Sequence, residues 1–145
     1  MTENENTALV RRWFEEVWNQ RRLETIDALM APDAVAHDLG GPGASTRGPG
    51  EFRQAAEQIQ QAFGEMHLTV EDIFGVDDRV AVRLTSRLKH TGRLGDLAPS
   101  GIEAAVPVMC IIQFQNGKII EGWNFWDVAT ALRAANAPPE QVTLF

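Results

Sequence analysis

Few residues in this 145-residue chain can do chemistry: three histidines, one cysteine, no tyrosine, and some carboxylates and amides at the ends of apolar runs. His90 closes the stretch Arg79 to His90, where Val80, Val82, Leu84, Ser86 and Leu88 alternate with Ala81, Arg83, Thr85, Arg87 and Lys89. Strand parity places it on the apolar face. Imidazole exchanges protons near neutral pH, so His90 is a candidate base; the competing reading is a polar strand end bonded to the next loop. His37-Asp38 runs into Gly40-Gly41-Pro42-Gly43, and only one of the pair can face inward. Asp38 is either a carboxylate aimed at a substrate or the cap of that turn. Asn124 cannot abstract a proton, but its amide can donate to a developing enolate or orient a water. A lone Cys110 excludes an intrachain disulfide and a thiolate zinc cluster, and reads as a small buried hydrophobe. His37, His67 and His90 show no ligand spacing, and His67 is expected on the surface, so no metal is expected. Without tyrosine, every mechanism that uses a phenol as acid or oxyanion donor is excluded.

These groups need elements to hold them. Thr7 to Arg22 places Val10, Trp13, Phe14, Val17 and Trp18 three or four apart, the period of an amphipathic helix, after a loose acidic arm over residues 1–6. Leu23 to Met30 reads as a short helix ending before Pro32, Ala34 to Leu39 as a short strand, and Glu51 to Phe63 as a third helix. From Leu68 the apolar period changes to two: strands Leu68 to Val76, Arg79 to His90, Ile102 to Gln115 and Lys118 to about Asp127, with a hairpin turn at Asn116-Gly117. Asp127 is read as the N-cap of a last short helix, Val128 to Asn136, before a tail over 137–145.

The order of elements predicts one α+β domain over residues 1–145: a curled antiparallel sheet forming a cone, with the three helices over one face and a pocket between. Trp13, Phe14, Val17 and Trp18 from the first helix, Val108 and Cys110 from the long strand, and Trp126 from the last are the candidate ligand-binding wall, although aromatic stripes at helical spacing also make plain core. Met109 is a further candidate for that wall. In Ile102 to Gln115 both faces are apolar, Ala104, Val106, Val108, Cys110, Ile112 and Phe114 against Ala105, Pro107, Met109 and Ile111. No helix remains for the second face, so a homodimer packed through the sheet is expected. In the last strand, Ile119, Trp123 and Phe125 are expected opposite Ile120, Gly122, Asn124 and Trp126.

Charge narrows the partners. With 13 Lys+Arg against 20 Asp+Glu the net charge is −7, which argues against nucleic acid and for a neutral ligand. The polar start and the shortness of every apolar run argue against a leader or a membrane span, so a soluble, cytoplasmic protein is expected.

Together, Val10-Arg11-Arg12-Trp13-Phe14, Ala36-His37-Asp38 before a Gly-rich loop, His90-Thr91-Gly92, and Gly117-Lys118-Ile119-Ile120-Glu121-Gly122-Trp123-Asn124-Phe125-Trp126-Asp127 make the chain resemble the SnoaL-like polyketide cyclases from Thr7 to Asn136. The resemblance implies the cone-shaped α+β barrel shared with scytalone dehydratase and ketosteroid isomerase. It also implies cofactor-free chemistry on a hydrophobic polycyclic or polyketide-type molecule. In that family an acidic residue on the last strand serves as acid and base for an aldol closure, and here its position holds Asn124. A strand position that can carry histidine there falls on Cys110. Catalysis by His90 or Asp38, with Asn124 as donor, is one expectation. A binding module without catalysis, or a hydroxylase, dehydratase or epoxide hydrolase on the same fold, are the others.

Overall fold

The computed structural model describes residues 2–39, 43–95 and 98–126. Helix α1 (Thr2–Trp13) continues into a π-helical segment (Phe14–Asn19), followed by α2 (Glu24–Leu29), β1 (Met30–His37), β2 (Ser45–Arg47), α3 (Gly48–Ala62), β3 (Glu65–Val76), β4 (Arg79–Lys89), β5 (Glu103–Gln115) and β6 (Lys118–Trp126). The six strands form one curled, unclosed sheet in the order β2-β1-β6-β5-β4-β3. All neighbours are antiparallel except β1 and β6, which run parallel, so the sheet is mixed and not wholly antiparallel as expected. The expected final helix and tail, and Asp127 with them, lie outside the described residues. Among those residues no helix is long and apolar enough to cross a membrane.

Apolar periodicity explains which faces meet. Val10, Trp13, Phe14, Val17 and Trp18 bury one stripe of the first helix, and Phe52 and Ala56 bury one stripe of α3. Both stripes lie over the inner face of the sheet, where Val80, Val82, Leu84, Cys110, Ile112 and Phe114 complete one apolar cluster. The expected helix Thr7 to Arg22 differs in two ways. It begins at Thr2, taking in the acidic arm, because acidic residues suit the positive end of a helix. It also widens to a π turn from Phe14, which brings Phe14, Val17 and Trp18 all to the buried side. Glu16 ties this segment to α2 by accepting from the Thr25 hydroxyl at 2.8 Å, and that bond, then Arg12, holds its carboxyl below the usual range.

Two devices lock the helices to the sheet. At the open edge of β3, the Asn19 amide donates to the Leu68 carbonyl at 2.9 Å and accepts from the Leu68 N–H at 2.8 Å, satisfying groups that an edge strand leaves unpaired. At the C-terminal end of α3, Arg21 donates to the carbonyls of Gln60, Phe63 and Gly64 at 3.1, 2.9 and 2.9 Å. The Thr91 and Gly92 N–H groups donate to the Ala62 carbonyl at 3.1 and 3.0 Å. His90-Thr91-Gly92 is thus a clasp on the helix end, where carbonyls otherwise lack partners.

One parity expectation needs correction. Phe114 pairs with Ile119 while Gln113 pairs with Glu121, so β6 carries an extra residue at Ile120. This bulge turns Ile119 inward, to the side of Gly122, Asn124 and Trp126, and leaves Trp123 and Phe125 on the other face.

Candidate functional site

Between the helices and the inner face of the sheet lies an apolar cavity of about 80 Å³. At about 10–15 Å³ for each water centre, that is room for roughly five to eight waters. Trp13, Phe14 and Trp18 come from the helical side, with Phe52 from α3 filling the gap between the two indoles. The Phe52 ring sits 5.2 Å from Trp13 and 6.2 Å from Trp18, in tilted and edge-on contacts that fix this wall. Val108, Cys110 and Asn124 form the floor, and Trp126 and Ser86 also border the space. Two candidates for the wall, Val17 and Met109, stand outside the lining; Val17 is fully buried, and its carbonyl accepts from Gln60. Met109 is absent from the lining because its side chain points to the outer face, 55% exposed.

The floor is polar at one point. Asn124 Nδ2 donates to the His37 carbonyl at 2.9 Å, and its Oδ1 accepts from the Cys110 thiol at 3.3 Å. The amide therefore stitches β6 to the end of β1 and to β5 while bordering the cavity. Burial pushes the Cys110 thiol up to about 12, against a smaller opposing effect of the Phe125 backbone, so the group stays protonated at neutral pH.

The other three candidates for catalysis do not border this cavity. His90 is fully buried on the predicted face, but it touches Phe63 at 5.8 Å, and Phe63 in turn meets Trp126 at 6.4 Å. Its Nδ1 accepts from the Ser100 N–H at 3.1 Å and pairs with the Ser100 hydroxyl at 2.9 Å. A backbone N–H can only donate, so the Nδ1 lone pair is committed to the loop. Asp38 takes a left-handed turn conformation, φ 61°, and its carboxylate accepts from the Gly43 N–H at 2.6 Å. The carboxylate is thus engaged by a backbone N–H five residues on. His37 lies against Glu121, Nε2 to Oε2 2.7 Å, and stacks on Trp123 with centroids 5.5 Å apart, while the Arg79 guanidinium sits 5.6 Å from the same indole. Trp123 belongs to the outer face, so this cluster is turned away from the cavity. Among the described residues no three metal-ligating side chains converge.

Ser86 was not singled out from sequence, although its parity put it on the same face as His90. It is 2% exposed, and its hydroxyl has no partner; neither has the buried Trp126 indole N–H.

The comparisons with known proteins follow this architecture. A family model described as SnoaL-like polyketide cyclase matches residues 8–135. No curated protein matches the chain. Among solved structures, a candidate SnoaL-like polyketide cyclase from Jannaschia sp. CCS1 aligns with TM-score 0.84 at 23% identity, over 94% of this chain and 95% of that one. IdmH, a candidate polyketide cyclase from Streptomyces antibioticus, aligns with TM-score 0.76 at 27% identity, over 90% and 97%. AclR, a candidate hydroxylase from Streptomyces galilaeus, aligns with TM-score 0.81 at 24% identity, over 94% and 88%. With the matched model running from α1 past the last described strand, the chain belongs to the SnoaL-like polyketide cyclase family.

Proposed function

We propose that the chain binds a neutral, hydrophobic, polyketide-type small molecule in this cavity, as a binding module without the carboxyl acid that cyclases of the family use at the position of Asn124. The lining carries this reading: among the described residues its single titratable side chain is Cys110, whose thiol stays protonated. The net charge of −7 favours a neutral ligand over an anionic one. Room for five to eight waters corresponds to about 150–240 Å³ of liquid, below the 300–1,000 Å³ of drug-sized sites, and suits one or two rings of such a molecule.

Three of the four tryptophans border the cavity, so intrinsic fluorescence reads its occupancy. Titration with naphthalene is expected to quench it saturably. Gly122 offers the control, since a Cβ there would meet only the Ile111 carbonyl, at 3.9 Å. Gly122→Leu fills the cavity and is expected to weaken binding at least tenfold while the protein stays folded. Equal binding by both proteins would place the ligand elsewhere and sink the reading.

A second copy of the chain is the proposed protein partner. Register puts Phe74, Ala81, Ile111 and Trp123 in one row across the outer face, and Asp72, Arg83, Met109 and Phe125 in the next. Phe125 is 74% exposed and Ile111 45%, with the Asp72–Arg83 and His37–Glu121 pairs beside them as a polar rim. Sedimentation is expected to give a dimer for the native chain and a monomer for Ile111→Glu, which buries a carboxylate in the apolar row. A native monomer at micromolar concentration would refute the dimer. A lone buried thiol suits a reducing compartment, and the cytoplasm is the proposed location.

A further inference from the structure

Two polar atoms bordering the cavity serve no hydrogen bond in the fold. Ser86 Oγ and Trp126 Nε1 are both buried and both without a partner. Such atoms are rare in folded proteins, because an unpaired buried donor keeps its full desolvation penalty, and each calls for an explanation. They also belong to the same end of the cavity. Ser86 pairs across the sheet with Val106, and the Trp126 ring packs against the cluster containing Val106 and meets Phe63 edge-on at 6.4 Å. The rest of the lining is apolar apart from Asn124 and Cys110, which already bond each other, and Asn124 gives one of its two amide N–H groups to the His37 carbonyl.

We propose that Ser86 Oγ and Trp126 Nε1 form a polar subsite that takes a carbonyl oxygen of the bound molecule. The indole N–H can only donate, so its partner must be an acceptor, and the serine hydroxyl can donate to the same oxygen. A ketone or quinone oxygen provides two lone pairs for the two donors while keeping the ligand neutral. The oxygen is then held at the Trp126 end, and the hydrocarbon rings run along Trp13, Phe52 and Trp18. This subsite rests on the cavity being the ligand site, and it names the functional group by which that ligand is oriented.

The test uses two molecules with one skeleton, 1-tetralone and tetralin, which differ by a carbonyl. Binding of each is measured by calorimetry to the native protein, Ser86→Ala, Trp126→Phe and Gly122→Leu. The native protein is expected to prefer the ketone, against the order set by hydrophobicity alone, and each of the first two variants to reduce that preference about tenfold, the effect of one lost hydrogen bond. Ser86→Ala removes an unpaired group, so its melting temperature is expected to hold or rise, which keeps misfolding out of the comparison. If the ketone preference is the same in native protein, Ser86→Ala and Trp126→Phe, the subsite is wrong. The cavity reading then still stands, provided that Gly122→Leu excludes both molecules. If the native protein binds neither, or if Gly122→Leu binds both undiminished, the cavity reading fails and the subsite with it.

Discussion

Replacing Gly92 by alanine is expected to destabilise the fold by about 3 kcal/mol, a loss of about 6–12 °C in melting temperature for a domain of this size. A Cβ at Gly92 would lie 1.8 Å from the Gln61 carbonyl oxygen and 2.8 Å from its carbon, both backbone atoms at the end of α3 that cannot swing aside. The chain passes this close because the Thr91 and Gly92 N–H groups both reach the Ala62 carbonyl. Relieving the clash breaks those bonds, and with them the seat of Arg21 on the three neighbouring carbonyls. Phe63 follows Ala62 and packs on Trp126, so the damage extends to the cavity wall. Gly50→Ala is the matched control. It lies in α3 with nothing within 4 Å of the new Cβ, and alanine there is expected to be neutral or to stabilise by about 0.5–1 kcal/mol. Urea unfolding of both variants decides the matter; equal midpoints would mean that the clasp is not under the constraint its geometry describes.

The same triplet shows what could be read from sequence and what could not. Alternation along β4 put Val80, Val82, Leu84, Ser86, Leu88 and His90 on one face, and all six are buried. Parity specifies a face; it says nothing about how far along that face a cavity extends. His90 lies past its end, behind Phe63 and Trp126, because α3 terminates there and its last residues fill the space. The inward turn of Ile119 was illegible for a different reason. A bulge adds one residue to a strand, and Ile119-Ile120 presents two equivalent branched side chains with nothing to mark the one left over. The short β2 went unread because a strand of three residues carries too little alternation to count. The π turn was hidden by its own success: Phe14, Val17 and Trp18 fit an α stripe well enough to mask the wider turn that buries them. For Asp38 an acidic residue before consecutive glycines leaves two readings open, a carboxylate aimed at a substrate or one bonded to the nearby backbone, and its carboxylate reaches the Gly43 N–H.

Asn124→Asp puts an acid at a position built for an amide, and its behaviour is expected to depend steeply on pH. The native Nδ2 donates to the His37 carbonyl at 2.9 Å, and an ionised carboxylate would present an oxygen to that oxygen. Only the protonated acid can donate there, and the apolar lining also disfavours charge, so the pKa of the new group is raised in the folded state. An aspartic acid in the unfolded chain titrates at about 3.9. Between that value and the folded one the folded state binds the extra proton. Stability relative to the native protein is therefore greatest below about pH 4 and is lost as pH rises through the folded value. Every pH unit by which that pKa rises removes about 1.4 kcal/mol at the upper end of the range. Urea midpoints of the two proteins from pH 4 to 8 measure this, and a difference that does not change with pH would mean that the His37 contact is not felt. The same titration governs chemistry. Once ionised, the introduced carboxylate beside a ketone can remove an α-proton, and the enolate recovers a deuteron from D2O, so exchange at the α-carbon of 1-tetralone reports a base in the cavity without knowledge of the natural ligand. The variant is expected to exchange faster than buffer, with a rate climbing over the pH range in which its stability falls. The native protein, whose described lining offers an amide, a hydroxyl, an indole N–H and a protonated thiol but no carboxylate or imidazole, is expected to leave the exchange at the buffer rate. Rapid exchange by the native protein would put a working base in the cavity and make the chain an enzyme, overturning the binding-module reading.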